Sequence, residues 1–145
     1  MTDYEDKKIL EDNFLFAVKA LVLNNEDKVL LLKRSETDPH SPGSWDLPGG
    51  ILCQGESCIE GLLRETGEET SLAIEIMSKI RDKKFKRDDG QNVFMRSYLC
   101  KTRSHNVVLS SEHDEYAWLG LSDAYKIVHE GYHKDILMLE PNIKQ

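Results

Sequence analysis

Several things are scarce in this sequence. Its 145 residues hold no long apolar run: stretches such as Val29–Leu32 end after a few residues, far below the ~20 needed to cross a bilayer as a helix. A membrane-spanning helix is therefore not expected. Cysteine is sparse, and Cys53, Cys58 and Cys100 make an odd count without CxxC spacing. That pattern argues against a disulfide framework and a zinc knuckle, and for a reducing compartment. Basic charge is in deficit, with 19 Lys and Arg against 26 Asp and Glu, a formal charge of −7 and a pI near 5.2. Such a chain lacks the surplus cations that phosphate-backbone binding needs, so no nucleic-acid partner is expected. The opening MTDYEDKK mixes both signs and lacks the apolar stretch of a secretory signal, which fits a cytoplasmic protein. Pro/Gly/Ser-rich linkers, internal repeats and low-complexity tracts are also missing, so one domain over residues 1–145 is expected.

What is present reads as a globular α/β chain, 39% apolar and 31% charged. Phe14–Leu23 and Lys28–Lys33 are strand-like, and Asn24-Asn25-Glu26-Asp27 between them is turn chemistry, predicting a hairpin. Residues 36–50 carry Pro39, Pro42, Gly43, Pro48, Gly49 and Gly50 and must be mostly loop. Ser57–Thr70 reads as a helix capped by Ser57, with Glu60 completing a capping box. Leu72–Ile80 and Asn92–Cys100 look like strands joined through Asp88-Asp89-Gly90, and shorter strand-like pieces follow over 106–121. Ser122 is a plausible cap for a helix toward Gly131, with one more turn before Pro141.

The central helix carries the chemistry. On a wheel turning about 100° per residue, Ile59, Leu62, Leu63 and Thr66 form a stripe suited to the core. Glu65, Glu68 and Glu69 gather on another face, because spacings of three and four stack side chains. Clustered carboxylates repel, and a hard divalent cation relieves that repulsion. Arg64 can reach Glu68 at i+4, and Gly61, on the glutamate side, leaves room for a ligand. The plain alternative is a solvated charged face. A wider pattern tells against it: Gly50, five residues, Glu56, seven residues, Arg64-Glu65, two residues, Glu68-Glu69, led in by Trp45-Asp46-Leu47-Pro48-Gly49-Gly50.

This string resembles the Nudix box, the signature of hydrolases that cleave a nucleoside diphosphate linked to another moiety. Two positions depart from it: Thr66 stands where an aliphatic residue is usual, and Ser71 where a helix-ending glycine is usual. The resemblance implies an α/β Nudix fold, an α/β/α sandwich around a mixed central sheet. It also implies Mg²⁺ dependence, with Mn²⁺ able to substitute. Glu65, Glu68, Glu69 and the Gly50 carbonyl would hold metal, Arg64 would orient a glutamate, and Gly49 and Glu56 would support the motif. Glu68 or Glu69 is a usual base, although some members use a distal glutamate. Glu112, six residues before Trp118, stands where that metal-binding glutamate is commonly placed. Glu115 reads as an exposed loop charge and His113 as a bystander. Arg34 would aim at a substrate phosphate.

The expected substrate is a small nucleotide. Markers of the ADP-ribose, dinucleoside polyphosphate, NADH and coenzyme A subfamilies are not evident. The chain looks most like MutT-type enzymes that release pyrophosphate from a nucleoside triphosphate, oxidised or non-standard ones included. An ADP-ribose or nucleotide-sugar pyrophosphatase and a non-catalytic binding module are the alternatives, and a homodimer is left open. Trp45, Phe14, Phe16 and Trp118 are possible base-stacking residues, though such aromatics more often fill a core. Lys83-Lys84-Phe85-Lys86-Arg87, beside Asp88-Asp89, reads as a solvated hairpin rather than a phosphate contact. His129-Glu130-Gly131-Tyr132-His133 fits HExxH. Zinc chemistry there needs an unbroken helix and a third ligand, so a surface helix end is expected.

Overall fold

The computed structural model describes residues 13–143, and the charged opening segment lies outside them. In chain order come β1 (Phe14–Leu23), β2 (Val29–Arg34), β3 (Trp45–Asp46), β4 (Gly49–Ile51), α1 (Cys58–Thr70), β5 (Glu75–Lys86) and β6 (Asn92–Lys101). Then follow β7 (His113–Leu119), α2 (Leu121–Ile127), a 3₁₀ turn (Glu130–Tyr132) and α3 (His133–Leu139). The sheet runs β3-β2-β1-β6-β5, with β4 also paired to β1 and β7 to β2. It is mixed: β1 lies parallel to β6, while β5 and β7 run antiparallel to their partners.

Alternation along β1 builds two cores. Phe16, Val18, Ala20 and Val22 pack with Cys58, Leu62 and Leu72 on the α1 side. Ala17 and Leu21 face the other way, packing with Leu31, Ala124, Val128 and Ile136 beneath α2 and α3. The result is the expected α/β/α sandwich.

The expected hairpin shrinks to one registered pair, Leu23↔Val29. Asn24 closes its turn by accepting from the amides of Glu26 (2.9 Å) and Lys28 (3.1 Å). The strands then part because β4 takes over β1 between Ala17 and Lys19, placing the glycine corner at the middle of the sheet. β5 starts later than expected and continues to Lys86. The basic run is therefore largely strand, and Lys83 is half-buried with its Nζ on the Gly131 carbonyl at 2.6 Å.

Helix α1 begins and ends as its sequence suggests but faces differently. The Ser57 hydroxyl accepts the Glu60 amide, and Ser71 closes the helix at φ 62°, taking the left-handed conformation usually left to glycine. The buried face is Cys58, Gly61, Leu62, Thr66, Glu69 and Thr70, whereas Ile59 and Leu63 are 43% and 45% exposed. The expected stripe is thus only rotated: Leu62 and Thr66 are buried as expected, Glu69 joins them, and Ile59 and Leu63 turn outward. Gly61 makes room for the preceding loop and not for a ligand: a Cβ there would strike Leu52 and approach Glu56 Oε1 at 3.0 Å.

Ser122 lies inside α2, whose N-cap is Gly120 without a side-chain cap bond. The chain leaves helical geometry at Val128 and re-enters it through the 3₁₀ turn. His129 caps that turn by accepting the Gly131 amide, while His133 stacks on Tyr125 with ring centroids 4.2 Å apart. The HExxH pair therefore shares no helix face. Phe16 stacks on Phe94 in the core, and Phe14, Trp118 and Trp45 pack against the two cores, as core aromatics do.

Candidate functional site

The site is built around the corner between β3 and β4. Gly49 has φ 139°, and a Cβ on it would collide with the Val18 carbonyl oxygen. Only glycine lets the corner lie this close to β1. Its amide then points at α1 and donates to Glu69 Oε1 at 2.7 Å. At Gly50 a Cβ would lie 2.7 Å from the Glu65 carboxylate, so this second glycine admits that side chain against the backbone.

Arg64 organises the acidic face. Its Nε and Nη2 grip both oxygens of Glu56 at 2.7 and 3.0 Å, and Nη1 reaches Glu65 at 2.9 Å and Glu68 at 3.2 Å. This fork is bidentate to Glu56, which a lysine cannot reproduce. Glu56 also accepts the Cys53 amide at 2.9 Å, tying the loop to the helix. The guanidinium holds the Glu56 carboxyl below its ordinary range. Burial raises Glu65 above its range despite Arg64.

Glu69 stands apart from its neighbours. It is 4% exposed, and burial pushes its carboxyl up to about 8. The distal loop is fastened over it, with the Val108 amide on the Thr70 carbonyl (3.0 Å) and the Ser110 amide on the Glu69 carbonyl (3.3 Å). The Ser35 amide holds the Glu112 carbonyl at 3.0 Å from the β2 side. Glu69, Glu112 and His113 thereby offer ligand atoms within 4.8 Å of one another.

His113 is the residue the sequence reading passed over. It is buried, its Nδ1 has no hydrogen-bond partner, and that atom lies 3.8 Å from Glu69 Oε2. Burial lowers its pKa, favouring the neutral imidazole that can ligate a cation. A register shift in the β2–β7 ladder at Lys33/Arg34 sets it opposite Arg34. Such a bulge re-aims a side chain and leaves no periodic trace in sequence. The donor set fits a divalent cation: two carboxylates, one of them buried and under-neutralised, and a buried ring nitrogen without a partner.

Arg34 lies beside this group with its guanidinium already engaged. Its Nε and Nη2 meet Asp46 Oδ2 at 2.9 and 2.8 Å, and its Nη1 meets Asp38 at 3.2 Å and the His40 carbonyl at 2.9 Å. Lys19 reaches the same Asp46 oxygen and the Leu47 carbonyl, each at 3.1 Å. Glu115 pairs with Lys33 at 3.3 Å as an exposed strand charge. Glu68 remains 60% exposed at its side chain, outside the compact group of Glu69, Glu112 and His113.

A NUDIX domain model matches residues 14–139. Mouse asymmetrical bis(5'-nucleosyl)-tetraphosphatase is 33% identical over 111 residues, covering 72% of this chain and 71% of that protein. Human 8-oxo-dGDP phosphatase is 38% identical over 66 residues, 46% of this chain but only 20% of that longer protein. Among solved structures, the MutT protein of Methanosarcina mazei Go1 superposes with a TM-score of 0.79 at 30% identity, covering 90% of this chain and 96% of that one. With the box, the glycine corner and the sandwich all in place, the chain belongs to the Nudix hydrolase family.

Proposed function

We propose that this protein hydrolyses a phosphoanhydride bond of a nucleoside triphosphate, oxidised or non-standard ones included, yielding a nucleoside monophosphate and pyrophosphate with Mg²⁺ as cofactor. The convergence of buried Glu69 with Glu112 and His113 carries this reading. Glu69, Glu112 and His113 would hold the cation, with Glu65 and Glu68 joining from the Arg64 side and the Gly50 carbonyl completing the ring. When bound, Mg²⁺ supplies charge neutralisation for the phosphate oxygens. That need is acute here, because Lys19, Arg34 and Arg64 are each paired with carboxylates of the protein itself. Arg34, engaged as it is by Asp46, Asp38 and the His40 carbonyl, would offer a phosphate only the donor capacity those partners leave it.

The protein's own part in the chemistry is to place carboxylates and take a proton. Gly49 fixes one oxygen of Glu69 and leaves the other facing the site. Glu112, exposed on its loop, accepts the proton of the attacking water as the water oxygen bonds to phosphorus and the bridging bond breaks. The electron pair of that bond leaves with the expelled product, pyrophosphate for attack at the α-phosphorus or the nucleoside monophosphate for attack at the β-phosphorus.

The test is a Mg²⁺-dependent hydrolysis screen over nucleoside triphosphates, 8-oxo-dGTP, dinucleoside tetraphosphates and nucleotide sugars. Release of pyrophosphate from a triphosphate is expected, falling about 10²–10⁴-fold in Glu69→Gln and in Glu112→Gln. Undiminished turnover by both variants would remove the site, and no turnover of any nucleotide would favour a binding module. The name of the mouse relative supports a second reading, a dinucleoside tetraphosphate substrate. Activity confined to that compound would select it.

A further inference from the structure

The His129–His133 segment has no place in the hydrolytic site, yet it is fastened to the site's foundation. The His129 amide donates to the Trp45 carbonyl at 2.9 Å, and Val128 bridges Trp45 in parallel. Arg81 and Lys83, both on β5, donate to the Gly131 carbonyl at 3.0 and 2.6 Å. A Cβ at Gly131 would sit 3.1 Å from both Lys83 Nζ and His129 Nδ1, so glycine suits this crowded point. The Tyr132 ring lies under two ammonium groups, Lys83 at 4.9 Å and Lys19 at 5.8 Å, and its hydroxyl interacts with Asp46. Four residues beyond Trp45 comes the Gly49 amide that holds Glu69. Between them, Leu47 and Pro48 are pinned by Lys19 and by the Ala20 amide.

We propose that residues 129–132 act as a positioning strap, gripping Trp45 and Asp46 from the α2–α3 side so that Gly49 presents its amide to Glu69 on the α1 side. Its role is to set the direction of the carboxylate that would hold the cation under the proposed function. β3 is only two residues long, and the corner that follows is held from one side by β1, through Lys19, Ala20 and the β1–β4 ladder. The strap adds a hold from the opposite side, on Trp45 and Asp46.

The backbone hydrogen bond from His129 to Trp45 can be broken to test this. His129 has φ −50° and follows an extended Val128 (φ −66°, ψ 148°), dihedrals that proline can adopt. The proline ring carbon takes the place of the bonded hydrogen and pushes the Trp45 carbonyl away. His129→Pro removes the amide that meets Trp45, whereas His129→Ala removes only the imidazole. The readouts are exchange protection of the Gly49 amide by NMR and Mn²⁺ affinity by EPR without substrate. Relative to His129→Ala, His129→Pro should show Gly49 exchange about tenfold faster and Mn²⁺ binding about tenfold weaker. Equal values in the two variants would overturn the strap. The Mn²⁺ arm rests on the proposed metal site, but the Gly49 arm does not. Wild type that binds no Mn²⁺ would refute the metal reading, and Gly49 exchange would still decide the strap. If His129→Pro does not fold, Lys83→Met carries the comparison: faster Gly49 exchange supports the strap, and unchanged exchange overturns it.

Discussion

Asp46 and Glu69 are both buried carboxylates flanking Gly49, at 2% and 4% exposure, and their surroundings drive them in opposite directions. Burial alone raises both. Asp46 is met by Lys19 and Arg34, which bring its carboxyl down to about 2. Glu69 has one backbone amide and a more distant Lys19, and stays near 8. A carboxylate given its cations by the fold is structural, whereas one left short of positive charge has capacity for a ligand ion. The same corner therefore has a satisfied side, facing α2 and α3, and an unsatisfied side, facing α1 and the distal loop.

The largest expected effect breaks the satisfied side. Asp46→Asn leaves Lys19 buried without its counter-charge and should lower unfolding free energy by about 3–5 kcal/mol, read from urea denaturation. The next sharpens the contrast through pH. Glu69 has a folded pKa near 8 against an ordinary value of 4.5, so between those values the unfolded chain releases a proton that the metal-free fold retains. Stability in EDTA should fall as pH rises from about 5 to 8, and Glu69→Gln should flatten that fall. Asp46 behaves oppositely: its contribution is present above its ordinary 3.8 and is lost as pH drops toward 2. Thermal melts of both proteins across this range measure the difference. The smallest effect lies beneath the site. Thr66 is wholly buried and its hydroxyl has no partner, so Thr66→Val should stabilise the protein by about 1 kcal/mol in urea unfolding.

Much of this was legible in the chain. The spacing from Gly50 to Glu69 pointed to the family, Ser57 marked the start of α1, and the resemblance to the family drew attention to Glu112. The phase of α1 was legible only in part: Leu62 and Thr66 are buried as expected. Apolar character also pointed to Ile59 and Leu63, yet the buried face takes in Glu69, whose carboxylate accepts the Gly49 amide, and leaves those two aliphatic residues exposed. No hydrophobicity rule anticipates a helix burying its glutamate and exposing two aliphatic residues. His113 escaped for a different reason, since a bulge re-aims it. The resemblance to the family pointed to Arg34, but the carboxylates that occupy it come from Asp38 and Asp46, residues whose reach depends on how the intervening loop folds.

By itself the sequence determined the chemical inventory: the glutamates, the arginine among them, and the glycines that permit close approach. Those are local properties, set by residue type and by helical or turn spacing. The tertiary structure alone decided how charge was apportioned within the inventory. Lys19 and Arg34 were spent on Asp46, Arg64 on Glu56, and Glu69 was left short. Electrostatic pairing acts through space between β1, β3, α1 and the distal loop, and which cation reaches which carboxylate is settled only when those elements pack.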